Sequence, residues 1–379
     1  MPVVTCIDDL RSIAKRRVAR AIFDYVDCGS YAECTLRANR ADLEGLALRQ
    51  RVGIDVDRRS TRTTMAGEEV AMPVGLAPTG LAGLNWADGE ILAARAAERF
   101  GVPFTLSTMS ICSIEDVAAE VDKPFWFQLY VMRDRGFSAS LIERAKAAKC
   151  SALMLTLDLQ IQGQRHRDLK NGLAVPPRLT AGTFFDVLRK PSWALNVLRG
   201  KRKSFGNLEG RIPEAKSLTT LSQWIAGQFD PTLSWKDIEW VRKLWGGKLI
   251  LKGILDAEDA KIAAQSGVQA VVVSNHGGRQ LDGAVSSIRA LPEVAEAVSG
   301  KTEVWFDGGI RSGQDVLKAL ALGADATLIG RAFLYGLGAM GEAGVTRALE
   351  IIKAELDVTM ALCGLRDVKD ASPAILRAT

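Results

Sequence analysis

Histidine is scarce in this sequence, and the cysteines are not paired. Only two histidines occur in 379 residues, and no C-x-x-C pair is present. The six cysteines are Cys6, Cys28, Cys34, Cys112, Cys150 and Cys363. Zinc sites draw their ligands mostly from closely spaced Cys and His residues. We therefore expect reduced thiols and no metal site.

Long hydrophobic runs are also missing. No apolar stretch approaches the ~20 residues that cross a bilayer. The N-terminus MPVVTCIDDL lacks a basic region followed by a hydrophobic stretch, which a secretory leader requires. We expect neither a membrane span nor a leader. Hydrophobic residues make up 47% and charged residues 25% of the chain, which is ordinary for a folded globular protein and excludes disordered and fibrous classes.

The net charge of +5 is distributed unevenly along the chain. Residues 178–216, which we call the basic insertion, contain nine basic and three acidic residues, so they carry +6 and the remainder carries −1. Aromatic residues such as Phe184, Phe185 and Trp193 interleave with the cations. Such a segment suits the headgroup boundary of an anionic membrane, and we expect no nucleic-acid partner. The alternative is a mobile surface loop with a solvated basic face.

Outside the basic insertion, short apolar runs alternate with segments of helical periodicity, which is the pattern of β-α units. The eight runs begin at Val74, Pro103, Phe125, Ala152, Leu249, Ala270, Glu303 and Ala326. Eight units predict an α/β fold of the (β/α)8 TIM-barrel type. Residues 1–70 would form an N-terminal helical extension, and the basic insertion would lie in the fourth βα loop. An open doubly wound sheet is the alternative, although no G-x-G-x-x-G follows the first strand.

In a (β/α)8 barrel, side chains at the C-terminal ends of the strands converge on one face, where barrels carry out chemistry. That face would be polar here. The candidate residues are Thr79, Ser107, Thr108, Gln128, Tyr130, Thr156, Asp158, Lys252, Ser274, Asn275, His276, Asp307 and Arg331.

The last two strands end in FDGGIRSG and IGRAF. Glycines such as Gly308, Gly309 and Gly330 let backbone N–H groups approach an anion, and Arg311 and Arg331 add positive charge. A phosphate site after strands seven and eight recurs in barrels. The motifs therefore predict a phosphorylated cofactor or substrate, and the alternative is that these glycines only make tight turns.

His276, in the loop SNHGGRQLD, is the natural candidate for a general base, because imidazole titrates near neutral pH. Asp158 could hold the imidazole and stabilise its charged form, or it could be a buried structural carboxylate. Arg165 and Arg279 offer planar forks that suit a substrate carboxylate. Surface salt bridges are the alternative for both arginines.

Lys252 closes an apolar strand, LILK, where an ammonium group is costly unless it meets an anion. Two interpretations stay open on the residues alone. Lys252 could form a Schiff base with pyridoxal phosphate, or it could pair with a flavin ring that carries negative charge.

The motifs SNHGGRQLD, WFQLYVMRDR, LAPTGLAG, LILKGILDAEDA and FDGGIRSGQDVLKALALGA together resemble the FMN-dependent L-2-hydroxyacid dehydrogenases and oxidases. The resemblance runs from about residue 10 to the C-terminus and implies a single domain over residues 1–379. The basic insertion is similar to that of the bacterial membrane-associated branch, which contains L-lactate and L-mandelate dehydrogenases.

The resemblance also implies a role for each candidate residue. His276 would be the base paired with Asp158, Arg165 and Arg279 would bind the substrate carboxylate, and Tyr25 and Tyr130 would contact the substrate. Lys252 would lie beside the flavin ring. The remaining FMN contacts would be Pro78, Thr79, Gly80, Ser107, Gln128, Thr156 and Ser274 around the ring, and Asp307, Gly308, Gly309, Arg311, Gly330 and Arg331 along the ribityl phosphate.

The expected function is therefore FMN-dependent oxidation of an L-2-hydroxy acid to the 2-keto acid. L-lactate is the first candidate substrate, and L-mandelate or a related larger acid is the second. Electrons would pass to a membrane quinone, with the protein bound peripherally at the cytoplasmic side of the inner membrane, as a homo-oligomer that is a tetramer in relatives. The alternatives are an oxidase that reduces oxygen to hydrogen peroxide and a catalytically silent flavin- or lipid-binding module.

Overall fold

A parallel eight-stranded barrel forms the centre of the computed structural model, which describes residues 3–173, 181–209, 224, 227–298 and 300–377. The strands are β1 (Thr63–Met65), β2 (Glu68–Val70), β3 (Val74–Leu76), β4 (Thr105–Ser107), β5 (Trp126–Leu129), β6 (Ala152–Thr156), β7 (Lys248–Ile254), β8 (Ala270–Val273), β9 (Glu303–Asp307) and β10 (Ala326–Ile329). The order in the sheet is β3-β10-β9-β8-β7-β6-β5-β4. A bridge between Leu76 and Phe104 joins β3 to β4 and closes the barrel. The predicted TIM barrel is confirmed.

The barrel interior is packed with side chains. Trp126 and Trp305 stack at its centre with ring centroids 5.1 Å apart. The antiparallel hairpin β1-β2 covers the N-terminal end of the barrel, where the fully buried Met65 joins the same apolar cluster. Because strands of a parallel barrel are buried on both faces, they read as continuous apolar runs in the sequence, which explains why their positions could be predicted.

The helices surround the barrel. They are α1 (Ile7–Arg17), α2 (Arg20–Asp27), α3 (Cys34–Gly45), α4 (Ala82–Asn85), α5 (Gly89–Phe100), α6 (Ile114–Ala118), α7 (Arg135–Ala147), α8 (His166–Lys170), α9 (Ala181–Leu188), α10 (Pro191–Arg199), α11 (Trp235–Trp245), α12 (Ala257–Gln265), α13 (Ser287–Val298), α14 (Gly313–Ala321), α15 (Arg331–Met340) and α16 (Glu342–Cys363), with 3-10 turns at Val368–Asp370 and Pro373–Ile375. Ser113 and Ser312 begin α6 and α14 with reciprocal capping boxes, which satisfy backbone donors at those helix starts.

The N-terminal extension is tied to the barrel by a buried ion-pair network around Asp27. Its carboxylate accepts from Arg11 at 2.7 Å, from Arg167 at 3.1 Å and from the Tyr335 hydroxyl at 2.7 Å. Burial alone would raise the pKa of Asp27, but the guanidinium of Arg11 and the Tyr335 hydroxyl outweigh it and hold this pKa far below its usual range. The network fixes α2, which carries Tyr25, against the barrel.

The basic insertion follows β6 and precedes β7, as predicted. Its residues 178–180 and 210–216 lie outside the described residues. Helices α9 and α10 are anchored to the body of the protein: Asp186 accepts from the Arg20 backbone N–H at 2.6 Å, and the Trp193 indole donates to the Leu84 carbonyl at 2.9 Å. Among the described residues, no helix has the length and apolar character to cross a membrane.

Candidate active site

The predicted catalytic residues meet at the C-terminal end of the barrel, which we call the barrel mouth. His276 lies just after β8 in the left-handed region, with φ of 58°, and its backbone N–H donates to the Ser274 hydroxyl at 3.0 Å. Left-handed backbone in a residue other than glycine is uncommon and is concentrated at functional sites. The two glycines that follow, Gly277 and Gly278, also have positive φ, so the whole turn is shaped to project the imidazole.

Asp158 and His276 form a close pair, although 118 positions separate them in the sequence. His276 Nδ1 lies 2.8 Å from Asp158 Oδ1. The side chain of Gln280 donates to the Asp158 carbonyl at 2.7 Å, which ties the loop after β6 to the loop after β8. A carboxylate on Nδ1 leaves Nε2 as the nitrogen that can accept a proton.

Asp158 is held in its ionised form. Burial raises its pKa, but the charge and hydrogen bond of His276 and the charge of Lys252 outweigh this effect and lower the pKa below its usual value. Gly253, with φ of 105°, makes room for the carboxylate: a Cβ at that position would lie 2.7 Å from Asp158 Cγ. Only glycine allows this approach.

Arg165 and Arg279 lie on the ring of Tyr25, and we call these two arginines the carboxylate clamp. Their guanidinium carbons are 5.5 Å and 4.8 Å from the ring centroid, which is cation–π distance. Arg165 pairs with the buried Asp168 at 2.9 Å. Burial, together with the neighbouring charge of Arg279, lowers the pKa of Arg165. The predicted pair of arginines is therefore brought together at the barrel mouth, and neither lies in a surface salt bridge.

Tyr130 belongs to the same cluster. Burial is the main cause of a strongly raised pKa for its phenol, and the negative charge of Asp158 adds to it. The ring packs edge-on against Phe229, with centroids 6.2 Å apart. Tyr130 therefore stays a neutral hydrogen-bonding group at physiological pH.

Lys252 is fully enclosed and already has an anionic partner. Its ammonium lies 2.8 Å from Asp307 Oδ2 and 2.8 Å from the Ser274 hydroxyl, which itself donates to Asp307 at 2.9 Å. Burial lowers the pKa of Lys252, but the charges of Asp307 and Asp158 outweigh it and leave this pKa raised. The expectation that Lys252 ends its strand was wrong, because β7 continues to Ile254 through a register irregularity.

A second polar cluster crosses three neighbouring strands of the barrel mouth. The Ser107 hydroxyl donates to Gln128 Oε1 at 3.0 Å, and Gln128 Nε2 donates to the Thr156 hydroxyl at 3.0 Å. All three side chains are buried. The direction of each bond fixes the orientation of the amide, so Gln128 presents a defined donor and acceptor.

Two of the three predicted phosphate-site glycines, both in the loop after β9, have left-handed backbone. Gly308 and Gly309 have φ of 127° and 93°, and a Cβ on Gly309 would lie 2.4 Å from the Asn39 carbonyl oxygen. Gly330 immediately precedes α15, so the positive end of that helix dipole lies at the barrel mouth. Arg311 lies nearby, with its guanidinium 5.4 Å from the Tyr335 ring centroid.

The environment of Arg331 differs from the one expected for a phosphate ligand. Its guanidinium donates at 2.9 Å to each of three backbone carbonyls, those of Val26, Cys28 and Gly277. Burial is the main reason that its pKa falls to about 10. Arg331 therefore joins the N-terminal extension to the His276 loop, and its role as a phosphate ligand stays a prediction.

The residues present fit FMN. The barrel mouth contains an enclosed ammonium, an oriented amide and the Pro78-Thr79-Gly80 turn, where a Cβ on Gly80 would lie 3.1 Å from the Met109 carbonyl. It also contains the glycine turns and the start of α15. The first set suits a ring with polar edges, and the second suits a phosphate.

Three residues of the site were missed in the sequence. They are Asp168, Gly253 and Cys28. Asp168 pairs with Arg165, and Gly253 leaves room for the Asp158 carboxylate. The buried Cys28 thiol lies 3.4 Å from Asp168 Oδ1. An acid three residues after Arg165 at a helix start was a usable signal, as was a glycine inside a strand. Nothing in the sequence pointed to Cys28.

Comparison with known proteins identifies the family of this chain. The model of the FMN-dependent dehydrogenase family matches residues 14–378. The L-lactate dehydrogenase of Vibrio parahaemolyticus is 47% identical over 371 residues, or 98% of each chain, and that of Caulobacter vibrioides is 48% identical over 375 residues, or 99% of this chain and 98% of the other. The crystal structure of the monotopic membrane protein (S)-mandelate dehydrogenase superimposes with a TM-score of 0.95 at 36% identity, covering 100% of both chains. The chain therefore belongs to the FMN-dependent dehydrogenase family, as an oxidoreductase that uses FMN and acts on CH–OH donors.

Proposed function

We propose that this protein oxidises an L-2-hydroxy acid to the corresponding 2-keto acid, with L-lactate as the first candidate and L-mandelate or a related larger acid as the second. One observation carries the proposal: an imidazole held by a carboxylate lies in the same barrel mouth as two guanidinium groups on one tyrosine ring. The proteins named L-lactate dehydrogenase and (S)-mandelate dehydrogenase among the relatives support the substrate class.

Arg165 and Arg279 would bind the substrate carboxylate and so fix the orientation of the acid. His276 Nε2 would accept a proton from the substrate, either from the hydroxyl or from C2. Asp158 would stabilise the imidazolium through Nδ1, as in other carboxylate–histidine pairs. Tyr25 and Tyr130 would complete the walls around the substrate.

FMN, when bound, supplies the acceptor for the two electrons removed from the substrate. The groups proposed to hold its ring are Pro78, Thr79, Gly80, Ser107, Gln128, Thr156, Lys252 and Ser274, and those proposed for its ribityl phosphate are Asp307, Gly308, Gly309, Arg311, Gly330 and Arg331. Several of them also have partners within the protein; for example, Asp307 pairs with Lys252, and Arg331 is bonded to three carbonyls.

A panel of L-2-hydroxy acids tests the proposal directly. FMN-loaded protein should lose its yellow absorbance under anaerobic conditions with L-lactate, 2-hydroxybutyrate or L-mandelate, and not with the D-enantiomers. A catalytically silent module would stay yellow with every acid. Reoxidation of the bleached protein by air and by a soluble quinone, followed in a stopped-flow instrument, separates a quinone-linked dehydrogenase from an oxidase.

We further propose that the electron acceptor is a membrane quinone and that the basic insertion attaches the protein peripherally to the cytoplasmic side of the inner membrane. Five apolar side chains on α9 and α10 support attachment, because each is more than half exposed. They are Phe184, Phe185, Leu188, Leu195 and Leu198. Exposed apolar groups of this size, clustered on two short helices, suit burial at a lipid interface.

The cations of the basic insertion contribute less to this attachment than their number suggests. Lys201 and Arg202 form ion pairs with Glu120 and Asp116, and the ammonium of Lys203 donates to the Gly200 carbonyl at 2.6 Å. Lys190 likewise donates to backbone carbonyls at the end of α1. Among the described residues of the insertion, Arg189 and Arg199 are exposed without such a partner. We therefore expect the burial of apolar side chains in the lipid to contribute more to membrane binding than the positive charges do.

Vesicle binding tests this part of the proposal. The double variant Phe185→Ser with Leu198→Ser should bind vesicles at least about 100-fold more weakly, since each large side chain contributes roughly 1.5 to 3 kcal/mol when buried. The matched control is Val358→Ser with Leu362→Ser on α16, whose residues are comparably exposed, and it should bind like the wild type. Binding that disappears in 0.5 M salt would contradict the dominance of apolar contacts.

A further inference from the structure

We infer that Asp168 sets the net charge of the carboxylate clamp to +1 and thereby restricts the enzyme to monocarboxylate substrates. The inference rests on the proposed function, because it concerns the groups that would bind the acid. Asp168 lies in the first turn of α8, three residues after Arg165, and only 5% of it is exposed. It would act through Arg165 as a positioning residue.

Both carboxylate oxygens of Asp168 face the clamp region. Oδ2 lies 2.9 Å from Arg165 Nε, and Oδ1 accepts from the Cys28 thiol at 3.4 Å. This contact is made through Nε, which leaves the two terminal nitrogens of the guanidinium for a ligand. Within the described residues, those terminal nitrogens have no hydrogen-bond acceptor in the protein. A planar fork in this state is suited to bidentate binding of one carboxylate.

Arg279 has no comparable counter-ion. Its Nη1 donates to the Cys28 carbonyl at 3.0 Å and to the Tyr25 carbonyl, and no carboxylate of the described residues lies within 4.0 Å of it. Cys28 adds no charge, because burial raises the pKa of its thiol to about 11. Two guanidinium groups are thus balanced by the single carboxylate of Asp168.

This balance determines which anions can enter. One substrate carboxylate neutralises the clamp, so the occupied site carries no unpaired charge there. A dicarboxylate would bring a second negative charge into a buried region that already contains Asp168, and the one further guanidinium bonded to the same Cys28 carbonyl, that of Arg331, already donates to three backbone carbonyls. An unpaired buried charge costs far more than an unpaired polar group. The site therefore favours 2-hydroxy acids with a neutral side chain over those with a second carboxylate.

Oxamate and oxalate test the inference, because they have nearly the same size and shape and carry one and two negative charges at pH 7.5. Their dissociation constants are measured on FMN-loaded protein from the perturbation of flavin absorbance. The readout is the ratio of oxalate affinity to oxamate affinity. A change in packing alone would weaken both ligands together and leave this ratio unchanged.

The variants form a series of clamp charges. Asp168→Asn raises the charge to +2 and should raise the ratio about tenfold, since one elementary charge about 10 Å away, at an effective dielectric of about 20, shifts a binding constant by roughly a power of ten. Arg165→Met lowers the charge to 0 and should lower the ratio about tenfold. The double variant Arg165→Met with Asp168→Asn restores +1 and should have the wild-type ratio despite weaker binding of both ligands.

A ratio that stays within twofold of the wild type in both single variants would overturn the inference. If Asp168→Asn does not fold, Arg165→Met and the double variant still have different expected ratios, tenfold lower and unchanged, and decide the question. The measurement needs no turnover. If the affinity ratio follows the clamp charge but no L-2-hydroxy acid bleaches the flavin, the proposed function fails and the role of Asp168 stands. If an acid bleaches the flavin but the ratio stays constant, only the role of Asp168 is refuted.

Discussion

Replacement of Asp158 by asparagine tests the central pairing of the site. In the wild type, Asp158 Oδ1 lies 2.8 Å from His276 Nδ1, and the other oxygen, Oδ2, is buried with no hydrogen-bond partner among the described residues. The carboxylate is therefore directed at the imidazole and at little else. The asparagine side chain has nearly the same volume and would keep a polar contact, so Asp158→Asn removes the charge with little change in packing.

The magnitude follows from the geometry. When His276 takes up a proton, the imidazolium and the carboxylate become opposite charges whose centres are about 4 Å apart, which corresponds to ~4 kcal/mol at an effective dielectric of about 20. Loss of that stabilisation corresponds to about a 10³-fold slower step. Replacement of the carboxylate by an amide in a serine-protease triad costs a comparable ~10⁴-fold. We expect flavin reduction to slow by about three orders of magnitude.

The assay is anaerobic stopped-flow reduction of bound FMN by L-lactate, with FMN content and thermal unfolding measured on the same preparations. Asp325→Asn is the matched control, because Asp325 lies at the opposite end of the barrel, where its side chain accepts from the Val304 backbone N–H at 2.8 Å. The control should reduce FMN at the wild-type rate. A fall of less than tenfold in Asp158→Asn, with full FMN occupancy, would refute the assigned role of the carboxylate.

Three further predictions follow from neighbouring contacts. Gly253→Ala should slow flavin reduction at least tenfold, because the new Cβ would displace Asp158; an unchanged rate would contradict the contact. Lys252→Met should lower the free energy of unfolding of the FMN-free protein by about 3 kcal/mol, since the largely enclosed carboxylate of Asp307 loses its cation; a loss of less than about 1 kcal/mol, measured by chemical denaturation, would count against the pair. The lowered pKa of Asp27 means that its ionised form stabilises the fold above pH ~4 and that this contribution disappears as the pH falls through the folded-state pKa. Asp27→Asn should therefore be less stable than the wild type at pH 7, and the difference should shrink in acid; an equal difference at both pH values, measured by thermal unfolding, would argue against it.

Much of the fold could be predicted because its signals are local. A strand buried on both faces is a continuous apolar run, and a helix start is marked by Ser or Asp within a few residues. Seven of the eight predicted strand starts lie within one residue of the observed starts, those of β3 and of β5 to β10. The eighth, at Pro103, lies two residues before the start of β4. The position of the candidate site could be predicted from the order of the strands and helices, since the C-terminal ends of parallel strands lie on one face of the barrel.

The sequence by itself determined the order of the elements, the insertion point of the basic segment and the residue types at the barrel mouth, because periodicity and strand ends are properties of neighbouring residues. Only the tertiary structure decided the partners. It pairs Lys252 with Asp307, Arg202 with Asp116 and Lys201 with Glu120, and the two members of each pair are far apart in the sequence. A sequence count treats every cation as available to solvent or ligand, whereas folding neutralises some of them against distant carboxylates. The charge that a ligand or a membrane meets is the charge that remains after those pairs have formed.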